Sequence, residues 1–176
     1  MHESEHDEVL AGLRRFIAET KVGDALDETT EVGPLVAERQ VVWLEEQVRD
    51  ARDKGAKVLI GGARPKGLAG AYYELTVLTD VSFEMRVWRE EVFGPVLPVV
   101  TFTSEDEAVR LANDTTYGLG AFVFTADKEL YGRVARQLQT GIVAHNNALY
   151  FSPSSPFGGY KNRETAVPVA SKRRIR

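Results

Sequence analysis

The feature that most constrains the fold of this chain is an alternation of strands and helices between Val96 and His145. Apolar runs rich in Val, Phe and Thr predict strands at Pro95–Phe102, Leu119–Thr125 and Gly141–His145. Between them lie two segments with apolar residues at helical spacing, one opened by a capping box of Ser104 and Glu107 and one over Asp127–Gln139. Because parallel strands need a long crossover connection, usually a helix, this order predicts an α/β fold with a parallel sheet.

The first half of the chain adds two amphipathic helices and two short strands. Apolar residues at helical spacing predict one helix over residues 5–20 and a second that ends near Gly55. Short apolar runs predict strands at Lys57–Ile60 and Tyr73–Leu78. A chain of 176 residues can bury roughly 70% of its unfolded surface, so we expect a substantial core.

The composition excludes several classes of function. The sequence contains no cysteine, which excludes disulfides, thiolate metal sites and a cysteine nucleophile. A net charge of −4 gives no general reason to expect nucleic acid or an anionic membrane as a partner. The N-terminus lacks the basic start and apolar core of a signal peptide. We therefore expect a cytoplasmic protein.

Two further patterns bear on cofactor or metal sites. The segment His2-Glu3-Ser4-Glu5-His6 matches the zinc-binding pattern H-E-x-x-H. It lies at the first residues, where helices fray, so we interpret it as a surface pair and predict no metal site. Gly118-Leu119-Gly120 lacks the third glycine of a dinucleotide fingerprint and opens a strand, so glycine-rich loops give no argument for a cofactor.

The segment Arg89-Glu90-Glu91-Val92-Phe93-Gly94-Pro95-Val96 resembles the signature of the aldehyde dehydrogenase family. Further segments follow in the family's order, among them Leu111–Leu119 and Pro156-Phe157-Gly158-Gly159-Tyr160-Lys161. The resemblance spans residues 2 to about 161 and covers the C-terminal portion of a family member. It implies the parallel-sheet catalytic domain of that family, truncated on its N-terminal side, over residues 1–161, with a divergent basic tail over residues 162–176.

The resemblance also implies which residues form a cofactor site. Glu91 matches the carboxylate that accepts hydrogen bonds from the nicotinamide ribose of NAD or NADP, and Phe93 matches the ring beside that ribose. Gln40 matches a polar residue that contacts cofactor hydroxyls near the adenosine end. Without the family, Phe93 before Gly94-Pro95 is a core residue and Glu91 is a solvated charge.

Two other residues are implied on the substrate side. Asn146 matches a residue that orders the active-site wall, and Phe157 matches an aromatic residue that lines the substrate tunnel. No catalytic residue is assigned, because the family's nucleophile is a cysteine thiolate and would lie upstream of His2. The chain departs from the family pattern at Leu75, where proline is usual, and at His145, where an apolar residue is usual.

These implications predict an oxidoreductase that converts an aldehyde to a carboxylic acid with NAD or NADP as hydride acceptor. The chain alone is predicted to be inactive, to bind the cofactor weakly or not at all, and to associate with itself or with a complementing N-terminal half. One alternative is a non-catalytic interaction module or pseudoenzyme derived from the family. Another is a truncated gene product without stable function.

Overall fold

The chain's helices and strands are described by a computed structural model, which covers residues 1–148 and 158–163. In chain order they are α1 (His6–Glu19), α2 (Glu38–Asp53), β1 (Lys57–Ile60), β2 (Thr76–Thr79), α3 (Arg86–Arg89), β3 (Val96–Pro98), α4 (Glu105–Asn113), β4 (Gly120–Val123), α5 (Lys128–Gln137) and β5 (Ile142–His145). The chain divides into two compact units, Met1–Phe102 and one that begins at Thr103. The predicted boundary after residue 161 falls at the edge of the described residues and stays a prediction.

The first unit contains a three-stranded sheet with the order β1-β2-β3. β1 runs antiparallel to β2, and β2 runs parallel to β3, with Thr76 opposite Val96. All four residues of the central strand β2 are buried. Since consecutive side chains of a strand point to opposite sides, both faces of the strand are buried. Leu78 packs in a core cluster with residues of α2, whereas Val77 packs in a second cluster with Leu10 of α1.

Helix α2 supplies one buried side of that core. Val41, Leu44, Val48 and Ala51 are at most 2% exposed and recur at intervals of three or four residues. This spacing places them on one helical face, as the sequence predicts. The helix ends at Asp53, and Gly55 follows with a φ of 102°, a left-handed conformation that glycine adopts readily.

The second unit contains a two-stranded parallel sheet of β4 and β5, joined through α5. Gly120 lies opposite Ile142, and Val123 lies opposite His145. The unit opens at α4, where the Ser104 hydroxyl accepts a hydrogen bond from the main-chain N–H of Glu107 at 3.3 Å. The predicted cap is therefore confirmed. The Glu107 carboxylate, however, accepts its hydrogen bond from the N–H of Thr103 at 2.9 Å and not from that of Ser104, as a capping box requires.

The α/β class and the parallel pairing are confirmed. The order of elements predicted that β3, β4 and β5 form one parallel sheet, but they lie in two separate sheets. β3 pairs with β2, and β4 pairs with β5. β3 also ends at Pro98, earlier than the predicted strand, although the N–H of Val99 still donates to the carbonyl of Leu78 at 2.8 Å. Helix α3 was not predicted, since four residues carry too little periodicity.

Candidate functional site

The loop that follows α3 carries Glu91 and Phe93, and α2 holds its first part in place. Gln47 of α2 is completely buried, and its amide nitrogen donates to the main-chain carbonyl of Glu91 at 3.2 Å. The same nitrogen donates to a carboxylate oxygen of Glu90 at 3.3 Å. The first bond fixes the main chain at the residue from which the Glu91 side chain emerges, and the second ties the side chain of the preceding residue to α2.

The other end of the loop is fixed by a close approach and by a strand. Gly94 lies so near Leu44 that a Cβ on residue 94 would overlap the Leu44 side chain. The carbonyl of Pro95 then accepts a hydrogen bond from the N–H of Thr76 in β2, at 2.7 Å. Residues 90–95 are thus anchored to α2 at one end and to β2 at the other. Glu91 and Phe93 therefore lie on a loop whose main chain is fixed at both ends.

The side chains of Glu91 and Phe93 have different environments. Phe93 is 63% exposed, so the alternative that it is a core residue is wrong. Glu91 is half-buried. A carboxylate can accept hydrogen bonds from two neighbouring hydroxyl groups, and an exposed ring can cover an apolar surface of a ligand. The pair can therefore offer a hydrogen-bond acceptor and an apolar surface to a ligand.

Gln40 lies on the same helix that holds the loop. It precedes Leu44 by four residues and Gln47 by seven, so the three residues share one face of α2. Its amide oxygen accepts a hydrogen bond from the N–H of Val36 at 3.1 Å. That bond orients the amide and leaves its NH₂ group as the end that can donate to a ligand hydroxyl.

Charged groups behind the loop form one connected network. The Arg86 guanidinium donates to Glu90 at 2.8 Å and to Glu46 at 3.3 Å, and it lies 4.8 Å from the centre of the Trp43 ring. The hydrogen bond from Arg86, with a smaller contribution from Gln47, holds the pKa of Glu90 below its ordinary value of 4.5. The hydrogen bond to Glu90 raises the pKa of Arg86 in turn. Glu90 is thus an ionised group of the framework behind the loop.

Asn146, in the second unit, lies directly after β5 with a positive φ of 51°. Its side-chain amide makes two hydrogen bonds of 2.9 Å with the main chain of Thr125, one to the N–H and one to the carbonyl. His145 bonds to the same carbonyl at 2.9 Å and stacks on Tyr131, with ring centres 4.3 Å apart. These contacts give the unusual His145 a packing role, and Asn146 orders the turn after β4. Its predicted place in an active-site wall stays a prediction.

Phe157 lies outside the described residues, but the segment that follows it is anchored. The N–H of Tyr160 donates to the carbonyl of Gly118 at 2.9 Å. The Lys161 ammonium donates to the carbonyls of Asn113 and Thr115 at 2.7 and 2.9 Å. A cation is stabilised at that position, because the carbonyls at a helix C-terminus lack partners within the helix.

The structure therefore brings three of the implied residues onto one framework in the first unit, namely Gln40, Glu91 and Phe93. Sequence reasoning missed Gln47, Arg86 and Glu90, which hold that framework. One signal was present for Gln47, since it is a glutamine within an otherwise apolar helical stripe. Within residues 1–148 and 158–163 no group of three or more His, Cys, Asp or Glu side chains could hold a metal ion. Helices long and apolar enough to cross a membrane are likewise absent from those residues.

Comparison with known proteins identifies the class of protein that this fold and loop define. The family model described as "Aldehyde dehydrogenase family" matches residues 1–166. The chain belongs to the aldehyde dehydrogenase family.

Individual relatives give the same result. The peroxisomal aminoaldehyde dehydrogenase 2 of Pisum sativum is 44% identical over 162 residues, which are 92% of this chain and 32% of that protein. Succinate-semialdehyde dehydrogenase from Burkholderia pseudomallei is similar in structure, with a TM-score of 0.88 and 39% identity over 94% of this chain and 35% of the other.

A double mutant of betaine aldehyde dehydrogenase from Staphylococcus aureus, in complex with NAD+, has a TM-score of 0.88 and 36% identity over 93% of this chain and 34% of the other. The chain thus spans about a third of the length of the relatives that it matches. The resemblance on which the site residues rest is confirmed at the level of the family, over nearly all of the described residues.

Proposed function

We propose that this chain is the part of an NAD(P)-dependent aldehyde dehydrogenase that holds the nicotinamide ribose of the cofactor. The observation that carries the proposal is the loop of Glu91 and Phe93, whose half-buried carboxylate and exposed ring are fixed from α2. A neighbouring family member has been crystallised with NAD+. This supports the same class of cofactor here.

Each residue of the proposed site has a separate task. The Glu91 carboxylate accepts hydrogen bonds from the ribose hydroxyls, which sets the rotation of the sugar. The Phe93 ring covers the ribose and excludes water from that side. The Gln40 amide donates to a hydroxyl nearer the adenosine end. When bound, NAD(P) supplies the acceptor for the hydride that leaves the aldehyde carbon.

The covalent step is assigned to residues outside this sequence. A thiolate is the family's nucleophile, and the sequence contains no cysteine. Serine and threonine hydroxyls are poor nucleophiles without an adjacent base. In the proposal the chain binds and orients the cofactor and forms part of the substrate wall, and the nucleophile comes from polypeptide that this sequence does not include.

The substrate is proposed only as an aldehyde. The similar proteins are named for an aminoaldehyde, for succinate semialdehyde and for betaine aldehyde. These aldehydes differ in charge, so similarity to all three does not select among them. A cytoplasmic location belongs to the proposal too, and because the P. sativum relative is peroxisomal, cell fractionation is the test for it.

A hybrid enzyme tests the cofactor role. The aligned residues of this chain replace the corresponding segment of the P. sativum aminoaldehyde dehydrogenase, and NADH production is followed at varied NAD+. Glu91→Gln and Phe93→Ala should each raise the KM for NAD+ by about tenfold, the effect of one lost contact of this kind. Calorimetric binding of NAD+ to the folded hybrid gives the same comparison if turnover is lost.

Two variants serve as matched controls in that hybrid. Phe16→Ala removes a ring of α1 that is 62% exposed, almost the same as Phe93. Asp53→Asn removes an exposed carboxylate from the end of α2. Neither should change the KM for NAD+. A folded hybrid whose affinity for NAD+ is the same with Glu91→Gln and Phe93→Ala as without them would overturn the proposal.

A further inference from the structure

Gln47 is a polar residue in a buried apolar stripe, and its environment satisfies only one end of its amide. The residue is 0% exposed, and its side-chain oxygen has no hydrogen-bond partner. Burying an amide without satisfying both ends opposes folding. An apolar side chain of similar size would avoid that cost, so packing of the core does not account for a glutamine at this position.

The nitrogen end of the same amide makes both of its hydrogen bonds to the loop that carries Glu91 and Phe93. It donates to the main-chain carbonyl of Glu91 and to the carboxylate of Glu90. The bond to the carbonyl matters most for position, because that carbonyl belongs to the residue whose carboxylate is proposed to hold the ribose. A shift of the carbonyl would carry the Glu91 side chain with it.

Gln47 also sits on a stiff support. Trp43, Glu46, Gln47 and Asp50 lie at i, i+3, i+4 and i+7 on α2 and so share one face. The other three contact Arg86 of α3: the Trp43 ring and the Glu46 carboxylate lie against its guanidinium, and Asp50 accepts a hydrogen bond from its N–H at 2.8 Å. Arg86 in turn holds Glu90 at 2.8 Å. The donor group of Gln47 therefore has little freedom to move relative to the loop.

We infer that Gln47 is a positioning residue, which sets the Glu91 carboxylate for the cofactor ribose through the main-chain carbonyl of Glu91. The inference rests on the proposed function, because it assumes that Glu91 contacts the cofactor. Gln47 itself touches neither cofactor nor substrate in this scheme. Within the reaction its effect is confined to the binding of the cofactor, which it reaches only through Glu91.

The hybrid enzyme tests the inference with Gln47→Met, which keeps the approximate length of the side chain and removes the donor. The KM for NAD+ should rise about tenfold, the effect of one misplaced hydrogen bond. The kcat should change by less than about twofold, because the lost interaction binds the cofactor equally well in the ground state and in the transition state. The control is Val48→Ala, which opens the core of α2 beside Gln47 and should lower stability while leaving the KM for NAD+ unchanged.

A double-mutant cycle separates this inference from the proposed function. If Gln47 acts through Glu91, the variant with both Gln47→Met and Glu91→Gln should have the same KM for NAD+ as Glu91→Gln alone. Effects that multiply, or no effect of Gln47→Met beside a clear effect of Glu91→Gln, would overturn the inference and leave the proposed function standing. No effect of Glu91→Gln would overturn the inference, and no effect of Phe93→Ala as well would overturn the proposed function itself.

The 176-residue chain provides a second readout that needs no turnover. Hydrogen exchange is measured over residues 86–96, where the N–H of Glu90 bonds to the carbonyl of Arg86 at 2.8 Å. Gln47→Met should speed exchange in this segment about tenfold more than Val48→Ala does, because the loop loses its anchor. Equal exchange in the two variants would overturn the inference even if the hybrid enzyme did not fold.

Discussion

Leu44 fills the space that a side chain on Gly94 would occupy, since a Cβ at residue 94 would overlap the terminal carbons of Leu44. Leu44 is completely buried, so it cannot swing into solvent to make room. The absence of a side chain at residue 94 therefore allows the loop of Glu91 and Phe93 to lie directly on α2. This contact joins the family signature to the core of the first unit.

The first prediction is that Gly94→Ala destabilises the chain. The added methyl group should lower the free energy of unfolding by about 1–3 kcal/mol, as overpacking does in a dense core. Urea denaturation measures the change. The control is Gly12→Ala, because Gly12 lies inside α1 and no neighbouring atom comes within 4 Å of the place that its new methyl group would take. Alanine there should stabilise the chain by about 0.5–1 kcal/mol. Equal responses at the two glycines would contradict the packing argument.

Much of the fold could be predicted, because its elements are encoded by local patterns. The strand predicted at Lys57–Ile60 has those bounds in the structure, and the helix predicted over residues 5–20 spans His6–Glu19. Periodicity also identified β4, α5 and β5 in the correct order. In each case the pattern of apolar residues over a few turns or strand residues was enough.

The contacts that build the site could not be predicted in this way, because they join distant parts of the chain. The Asp50 carboxylate accepts a hydrogen bond from the N–H of Arg86, the first residue of α3, which lies 36 residues further along the chain. Gln47 reaches the carbonyl of Glu91 across 44 residues. Pairing of β3 with β2 likewise depends on tertiary contacts and not on the order of the elements. The family resemblance supplied Glu91 and Phe93, but not the residues that hold them.

A second prediction concerns acid stability. Since the folded pKa of Glu90 lies below its ordinary value of 4.5, the ion pair with Arg86 contributes stability that is present above that value. The contribution is lost as the pH falls below 4.5 and through the folded pKa. Urea midpoints between neutral pH and acid should therefore fall less steeply for Glu90→Gln than for the unaltered chain.

The partner of Glu90 provides the control for that experiment. In an Arg86→Met background the main cause of the lowered pKa is gone, so Glu90→Gln should change the pH dependence much less. Other carboxylates also have lowered pKa values and contribute to the acid loss, among them Asp50 and Glu107. For that reason the quantity to compare is the change in the pH dependence that Glu90→Gln causes, measured once in the unaltered chain and once in the Arg86→Met background. The same difference in both backgrounds would contradict the role of Arg86.

A third prediction separates backbone strain from hydrogen bonding at Asn146. Replacement by alanine or by glycine removes the same two hydrogen bonds to Thr125. Only alanine is strained at a φ of 51°, so Asn146→Ala should be less stable than Asn146→Gly by about 1 kcal/mol. Thermal unfolding measures both variants. A glycine variant as unstable as the alanine variant would show that strain is not important at this turn.

A fourth prediction is that the purified 176-residue chain oxidises no aldehyde. The sequence has no cysteine to form the thiolate, and no other side chain replaces it. The assay is NADH production with short aliphatic and aromatic aldehydes. Turnover that survives repurification, even at a small fraction of the roughly 10 per second of a typical enzyme, would contradict the assignment of the covalent step to other polypeptide.

The same chain should bind NAD+ weakly. The loop of Glu91 and Phe93 offers a few contacts of about 1 kcal/mol each, whereas association costs several kcal/mol. Calorimetry should detect no binding in the micromolar range. A dissociation constant at or below that range would mean that the chain contains further cofactor contacts, and Gln40→Ala would then be the first variant to examine.

The last prediction is that the isolated chain associates with itself. Large apolar side chains are exposed in both units, among them Leu26 at 91%, Phe93 at 63% and Phe124 at 70%. Apolar side chains with this much exposed surface favour self-association, because contact between two copies removes that surface from water. Sedimentation velocity at several protein concentrations should show the mean mass rising with concentration. A monomer at every concentration, with little binding of a dye for apolar surfaces, would contradict this prediction and favour the alternative of an independent, non-catalytic module.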